Sequence, residues 1–334
     1  MRRLAFPLLL VVLLGWLPAV AAAQGVAAAQ QSYEVVGTRA LGMGGAFVAV
    51  ADDGSAVYWN PAGLATGGPA GGVIDWGRFQ FGNRDSIPVP GPYEGSANLN
   101  SFGAWPVGLS YAKFSSTVLI DDRDGLDRPT AFNVRTTHFG LTVLQTLIEN
   151  IVVGSTLKYV RGRTERALAV GATVDDALEN GSDLEGDVRH AFDLDIGVMA
   201  NLQQLRVGLT VRNVTEPTFG TIAQNEITLK RLARLGVAVL PTTGVILAMD
   251  FDLDTADLDS GPSQILAIGG EARLGLKLAV RAGVRWSVEG DRRLVKATGV
   301  SYMIRPRFWL DGHFSQGDGS DGHRAFGIAM RAGM

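Results

Sequence analysis

Cysteine is absent from all 334 residues. That excludes a disulfide scaffold, thiolate metal ligands and cysteine nucleophiles. Histidine is scarce: His138, His190, His313 and His323 stand apart from any H-E-x-x-H pattern, and no motif ties one of them to a nucleophilic serine. Zinc hydrolysis and serine-triad chemistry therefore lose their usual carriers, and the expectation is a non-enzyme with no cofactor and no catalytic residue. An excess of positive charge is missing too. The 30 basic residues face 33 acidic ones, and no basic patch offers a footprint for nucleic acid. Long apolar runs are confined to the N-terminus. Nothing beyond it reaches the ~18 residues of a membrane helix, so a membrane-spanning chain of this kind must be a closed barrel.

That N-terminal run reads as a signal peptide over residues 1–23. Arg2 and Arg3 supply the positive start, Leu4–Leu17 the apolar stretch, and Ala21–Ala23 a small-residue exit before Gln24. Pro7 and the shortness of the run argue against a membrane anchor. With Arg2 and Arg3 removed, the 30 basic residues fall to 28 against 33 acidic ones.

Glycine is abundant, 43 residues of 334, which suits strands, turns and close backbone packing. From residue 70 onward the dominant signal is a period of two. In Lys277–Val288, Leu278, Val280, Val284 and Trp286 share one face while Arg281 and Arg285 share the other. A strand separates two such sets at every step and a helix does not. The same alternation sets Asp193 and Asp195 opposite Phe192 and Leu194, Arg206 and Arg212 opposite Val207 and Val211, and Asp250 and Asp252 opposite Met249 and Phe251. Roughly fourteen such segments can be marked, of about ten residues each, as an outer-membrane barrel requires. They run near 70–81, 97–105, 107–118, 132–146, 150–162, 187–201, 204–213, 226–240, 243–253, 263–275, 277–288, 292–304, 306–315 and 323–333.

Connections after odd segments are mostly long and those after even segments very short. That rhythm is expected when one barrel end faces the periplasm and the other the exterior. An even strand number then puts both termini on the periplasmic side. The fold expected is all-β: a transmembrane antiparallel β-barrel over 69–334, with polar faces (Asp193, Asp195, Arg206, Arg212, Asp250, Asp252, Arg281, Arg285) towards the lumen and pairing across it. Outward aromatics such as Phe192, Trp286, Tyr302, Phe308, Phe314 and Phe326 are candidates for interfacial girdles.

Residues 24–68 lack this alternation. They contain GTRALGMGGAFVAVADDGSAVYWNPAGLA, from Gly37 to Ala65. Gly42, Gly44 and Gly45 permit close backbone approach, while Asp52-Asp53-Gly54 and Asn60-Pro61 turn the chain. A dinucleotide-binding fingerprint fails because Phe47 stands where its last glycine belongs. This block resembles the N-terminal region of the outer-membrane FadL-type transporter superfamily, in particular its PorV/PorQ-like and TraF-like branch. The resemblance implies a fourteen-stranded barrel closed by an N-terminal hatch, or plug, whose Asn-Pro-Ala motif corresponds to Asn60-Pro61-Ala62, followed by Gly63 and Leu64. It is weaker downstream, in LAMDFDLD (247–254) and EARLGLKLAVRAGVRW (271–286). The chain departs from the usual aromatic barrel terminus by ending in Met334.

The function this resemblance implies is passive uptake of fatty-acid-like hydrophobic small molecules through the bacterial outer membrane. Partners would be outer-membrane lipid, the hydrophobic ligand and the barrel-assembly machinery. The alternative is a PorV-like partner barrel that docks exported proteins or anchors a secretion assembly. Two smaller features complete the reading. Residues 164–181 suggest a short helix in the longest outer loop, with Leu168, Val170, Val174 and Leu178 as apolar surface for a ligand or for self-packing. The acidic run Asp250, Asp252, Asp254, Asp257 and Asp259 lacks the spacing of a calcium loop, because Thr255 occupies the glycine position; Asp318 and Asp321 read as a solvated turn.

Overall fold

The computed structural model describes residues 35–82, 92–120, 129–220, 226–258, 261–290, 294–318 and 322–333. The signal peptide, residues 24–34, Asp259, Asp321 and Met334 lie outside these. In chain order the strands are β1 (Ala70–Phe81), β2 (Tyr93–Ala104), β3 (Val107–Ile120), β4 (Thr130–Ile148), β5 (Ile151–Leu168), β6 (Val188–Leu202) and β7 (Leu205–Arg212). After a small ribbon of β8 (Thr218–Phe219) and β9 (Ile227–Thr228) come β10 (Leu232–Thr242) and β11 (Val245–Asp252). A second ribbon, β12 (Ala256–Leu258) and β13 (Gly261–Ser263), precedes β14 (Ile265–Leu274), β15 (Leu278–Ser287), β16 (Leu294–Arg305), β17 (Phe308–Gly317) and β18 (Arg324–Gly333).

Setting the two ribbons aside, fourteen strands pair with their sequence neighbours in one closed barrel. The seam joins β1 antiparallel to β18, from Gly71 opposite Gly333 to Gln80 opposite Arg324. Closure leaves no unpaired edge, the condition that lets strands stand in lipid. The connections at 105–106, 149–150, 203–204, 243–244, 275–277 and 306–307 are short and gather at one end with both barrel termini. The longer ones lie at the other end.

Side chains alternate as the period of two demands. In β1, Val73, Asp75 and Phe79 are buried, while Ile74 and Trp76 point outward and are exposed. The exposed apolar set continues around the ring through Leu141, Leu157, Phe192, Leu247, Val300 and Ile328. In water such a surface forfeits roughly 25 cal/mol for every Å² left exposed, so this wall is built for an apolar solvent. The inner face carries the charges, and that is where the core lies.

Three differences from the sequence expectation have physical causes. The segment expected over 226–240 enters the barrel only at Leu232, because Ile227 and Thr228 pair instead with Phe219 and Thr218. Phe219, Ile227 and Leu229 bury against Phe132, Val134 and Val160, which draws the ribbon onto the inner face of the barrel mouth. In the longest loop, β5 runs on to Leu168, and the helix is Val174–Ser182. Its start is a capping box: Thr173 Oγ1 accepts from the Asp176 amide and Asp176 Oδ2 accepts from the Thr173 amide, both at 3.1 Å. Leu178 is fully buried with Leu119 and Ala131, so this helix packs on the protein itself, whereas Leu168 and Val170 remain exposed.

Candidate functional site

Residues 35–65 lie against the inward side chains of strands around the whole ring. Their first helix, Thr38–Gly42, contacts β1 and β15–β18, and the 3₁₀ turn Pro61–Ala65 contacts β4, β5 and β6. Ala46–Ala51 are wholly buried, as are Trp59, Asn60 and Ala62. Leu64 packs over the inward glycines Gly103 and Gly108.

Short apolar residues let this segment fit, but its backbone amides still need acceptors once water is excluded. The wall supplies carboxylates. Asp250 Oδ2 on β11 accepts from the amides of Phe47 and Val48, each at 2.8 Å. Asp75 on β1 accepts from Thr38 N at 2.6 Å and from Gly37 N at 3.4 Å. The alternation had placed Asp250 on the inner face; Asp75 on the same face is an addition.

Asn60 is the polar pivot of the segment. Its Oδ1 accepts from Ala62 N at 3.1 Å, capping the turn that Pro61 begins. Its Nδ2 donates to Val48 O at 3.0 Å within the segment and to Val198 O of β6 at 3.1 Å. Replacing Asn60 by Ala strands two buried carbonyls and one amide, each worth about 1–3 kcal/mol. Asn60→Ala is therefore expected to raise amide hydrogen exchange in Val48 and Ala62, while the β-strand amides stay protected.

Close approach to the wall is made at glycine. A Cβ at Gly154 of β5 would stand 2.5 Å from Ala62 N, and one at Gly197 of β6 would collide with Asn60 Oδ1. On the opposite side Gly42 meets Gly299, and Met43 presses on Gly269 and Gly283. Gly44 and Gly45 have φ of 71° and 90°, a region glycine enters without strain. Gly154→Val is expected to cost about 1–3 kcal/mol through overpacking. Limited proteolysis should then cut the N-terminal segment before the barrel strands.

The charges form two groups. In the first, Arg39 of the segment donates to Asp52 at 2.5 Å, Asp53 at 2.9 Å and Glu271 of β14 at 2.8 and 3.0 Å. Glu271 also accepts from Arg281 Nε at 2.6 Å. Arg281 then donates to Ser301, which is bonded to Asp311, and Asp311 accepts from Arg331 at 3.0 Å. Burial alone would lower the Arg39 pKa, but Asp52, Glu271 and Asp53 outweigh it and hold the guanidinium charged. For Asp53, burial opposes ionisation, yet Arg39 and Arg331 bring its carboxyl below the usual range.

In the second group Lys158 of β5 meets Asp193 at 2.7 Å and Asp195 at 2.6 Å on β6, and Asn213 Oδ1 at 2.8 Å. The Arg212 guanidinium lies 3.6 Å from the Tyr58 ring centroid, a wall-to-segment contact that no sequence pattern announces. Arg234 meets Asp252 at 2.5 Å. Arg206 reaches Asp52 at 3.6 Å, and Arg285 approaches His323 at 3.3 Å. The inward charges thus pair with adjacent strands or with residues 35–65 rather than across an open lumen, since that segment occupies the middle.

With this geometry in view, solved structures provide the comparison. A monoaromatic hydrocarbon channel, CymD, superposes with a TM-score of 0.64 at 15% identity, covering 90% of this chain and 98% of its own. The toluene transporter TbuX of Ralstonia pickettii gives 0.60 at 14% identity, over 90% and 99%. The fold is that of the FadL-type channels. A FadL homologue from Pseudomonas aeruginosa agrees, with a TM-score of 0.59 at 10% identity over 88% and 97% of the two chains. Within the FadL-type barrel, residues 95–252 also match the family model described as "F plasmid transfer operon, TraF, protein", in line with the TraF-like branch of the resemblance. No curated protein matches the sequence significantly.

Proposed function

We propose that this FadL-type barrel resides in the bacterial outer membrane with both termini periplasmic, and that it takes up hydrophobic small molecules passively. In this reading residues 24–68 are its hatch. The observation that carries the proposal is the mode of seating. Residues 35–65 are held in the barrel by hydrogen bonds, ion pairs and glycine contacts, all of them reversible, so the segment can shift without a covalent bond breaking. The apolar outer wall supports a lipid setting. The monoaromatic hydrocarbon and toluene channels of like fold make aromatic hydrocarbons the first cargo to test, with alkanes and fatty acids beside them. Uptake of labelled toluene, alkane and long-chain fatty acid is compared in cells with and without the protein. Unchanged uptake of every compound would remove the proposal.

A second reading has one observation in its favour, the TraF family match over 95–252. It makes the barrel a partner for an exported protein. Affinity purification in mild detergent separates the two: a stoichiometric protein partner favours docking, and a co-purified apolar molecule favours transport.

A further inference from the structure

The register carries rows of outward residues from strand to strand. One row at the long-connection side of the apolar belt reads Ile74, Asn100, Tyr111, Phe139, Tyr159 and Phe192 on β1 to β6. Its rings touch, with centroids 5.1 Å apart for Tyr111 and Phe139 and 5.5 Å for Tyr159 and Phe192. On the same strands the outer wall is hollowed into a groove of about 920 Å³, lined by Ile74, Asn100, Phe102, Tyr111, Phe139 and Tyr159 among others. Asn100 is an exposed amide in an otherwise apolar trough.

Two residues further along, the next outward row reads Asn98, Lys113, Thr137, Arg161 and His190. The row beyond it holds Arg78, Arg135 and Arg163. Neither row contains a carboxylate on these strands. Arg135 is occupied by Ser182 O at 2.8 Å, and Arg163 lies 3.5 Å from the exposed Glu185. Lys113 and Arg161 are exposed and have no ion-pair partner among the described residues. They stand on β3 and β5, two interstrand steps apart, about 10 Å.

An apolar trough under two unpaired cations matches one chemistry, an acyl chain ending in an anionic head. We propose that this face of the barrel binds a phosphate-bearing lipid of the surrounding leaflet, with its chains in the groove and its phosphate between Lys113 and Arg161. Asn100 donates to a carbonyl at the head of the chain. A neutral hydrocarbon would leave both cations unmatched. The proposal rests on the membrane setting given above, but not on any cargo.

The test uses the full chain in nanodiscs, with native mass spectrometry after adding phosphatidic acid or phosphatidylcholine of identical chains. Two cations near a lipid surface imply a preference of roughly thirtyfold for phosphatidic acid. The K113Q/R161Q double variant is expected to abolish that preference, and heat-modifiable migration will show that it remains a barrel. K296Q removes an outward cation already paired with Asp318 at 2.8 Å and should keep the preference. Equal retention of both lipids by the parent protein, or a preference that survives in K113Q/R161Q, overturns the proposal. No hydrophobic cargo is present in the experiment, so failed uptake would not alter its outcome.

Discussion

Removing residues 37–65 is expected to turn a closed barrel into a conducting one. The fourteen-strand ladder does not depend on this segment, since every barrel strand pairs with two others. What the deletion takes away is the wholly buried run Ala46–Ala51 and the turn at Asn60-Pro61, whose volume only water could replace. The polar side chains of Asp75, Asp250 and Glu271 would then face that water, which further favours a wet lumen. Single-channel recording in planar bilayers measures the effect. Conductance no greater than that of the parent, from a barrel still showing heat-modifiable migration, would refute a plugging role.

The second large effect is expected at Arg39. Its guanidinium is buried and joins Asp52 and Asp53 of the segment to Glu271 of the wall. Arg39→Met leaves those carboxylates short of a cation, and breaking a buried pair from one side costs about 3–5 kcal/mol. Arg39→Lys keeps the charge but cannot match two oxygens of Glu271 at once, so its loss should be smaller yet clear. Thermal melting in detergent and the open probability in bilayers should both follow the order parent, Lys, Met. Adding Asp52→Asn to Arg39→Met should recover part of the loss, because Asp52 without Arg39 keeps only the 3.6 Å contact with Arg206. A Met variant as stable and as closed as the parent would mean that the network does not hold the segment.

Much of the barrel was legible because a strand writes its two faces into alternate letters. Asp193, Asp195, Arg212, Asp250 and Arg281 are buried on the face that the alternation gave them. Short turns were legible too, for the chain has too few residues there to do anything but reverse. Partners were not. Alternation says that Glu271 faces inward, but whether it meets Arg281 depends on register, and whether it meets Arg39 depends on the path of a segment with no period. Asp75, Asp311 and Arg331 carry the same inward signal; for Asp75, flanked on its face by Val73 and Gly77, the lone charge is the clue. The ribbon at β8 and β9 was hidden because Ile227 and Thr228 have strand-like chemistry whichever neighbour they take.

The seam between β1 and β18 is tied to the chain inside the barrel. Asp75 on one side of it holds Gly37 and Thr38, and Arg331 on the other lies 3.6 Å from Asp53 of the same segment. The first and last strands are therefore laced together twice, once by their own ladder and once through the chain inside. Coupling of this kind is reciprocal: whatever withdraws the inner lace weakens the seam, and whatever strains the seam loosens the lace. A force applied to the barrel from the surrounding lipid could thus be felt at its centre.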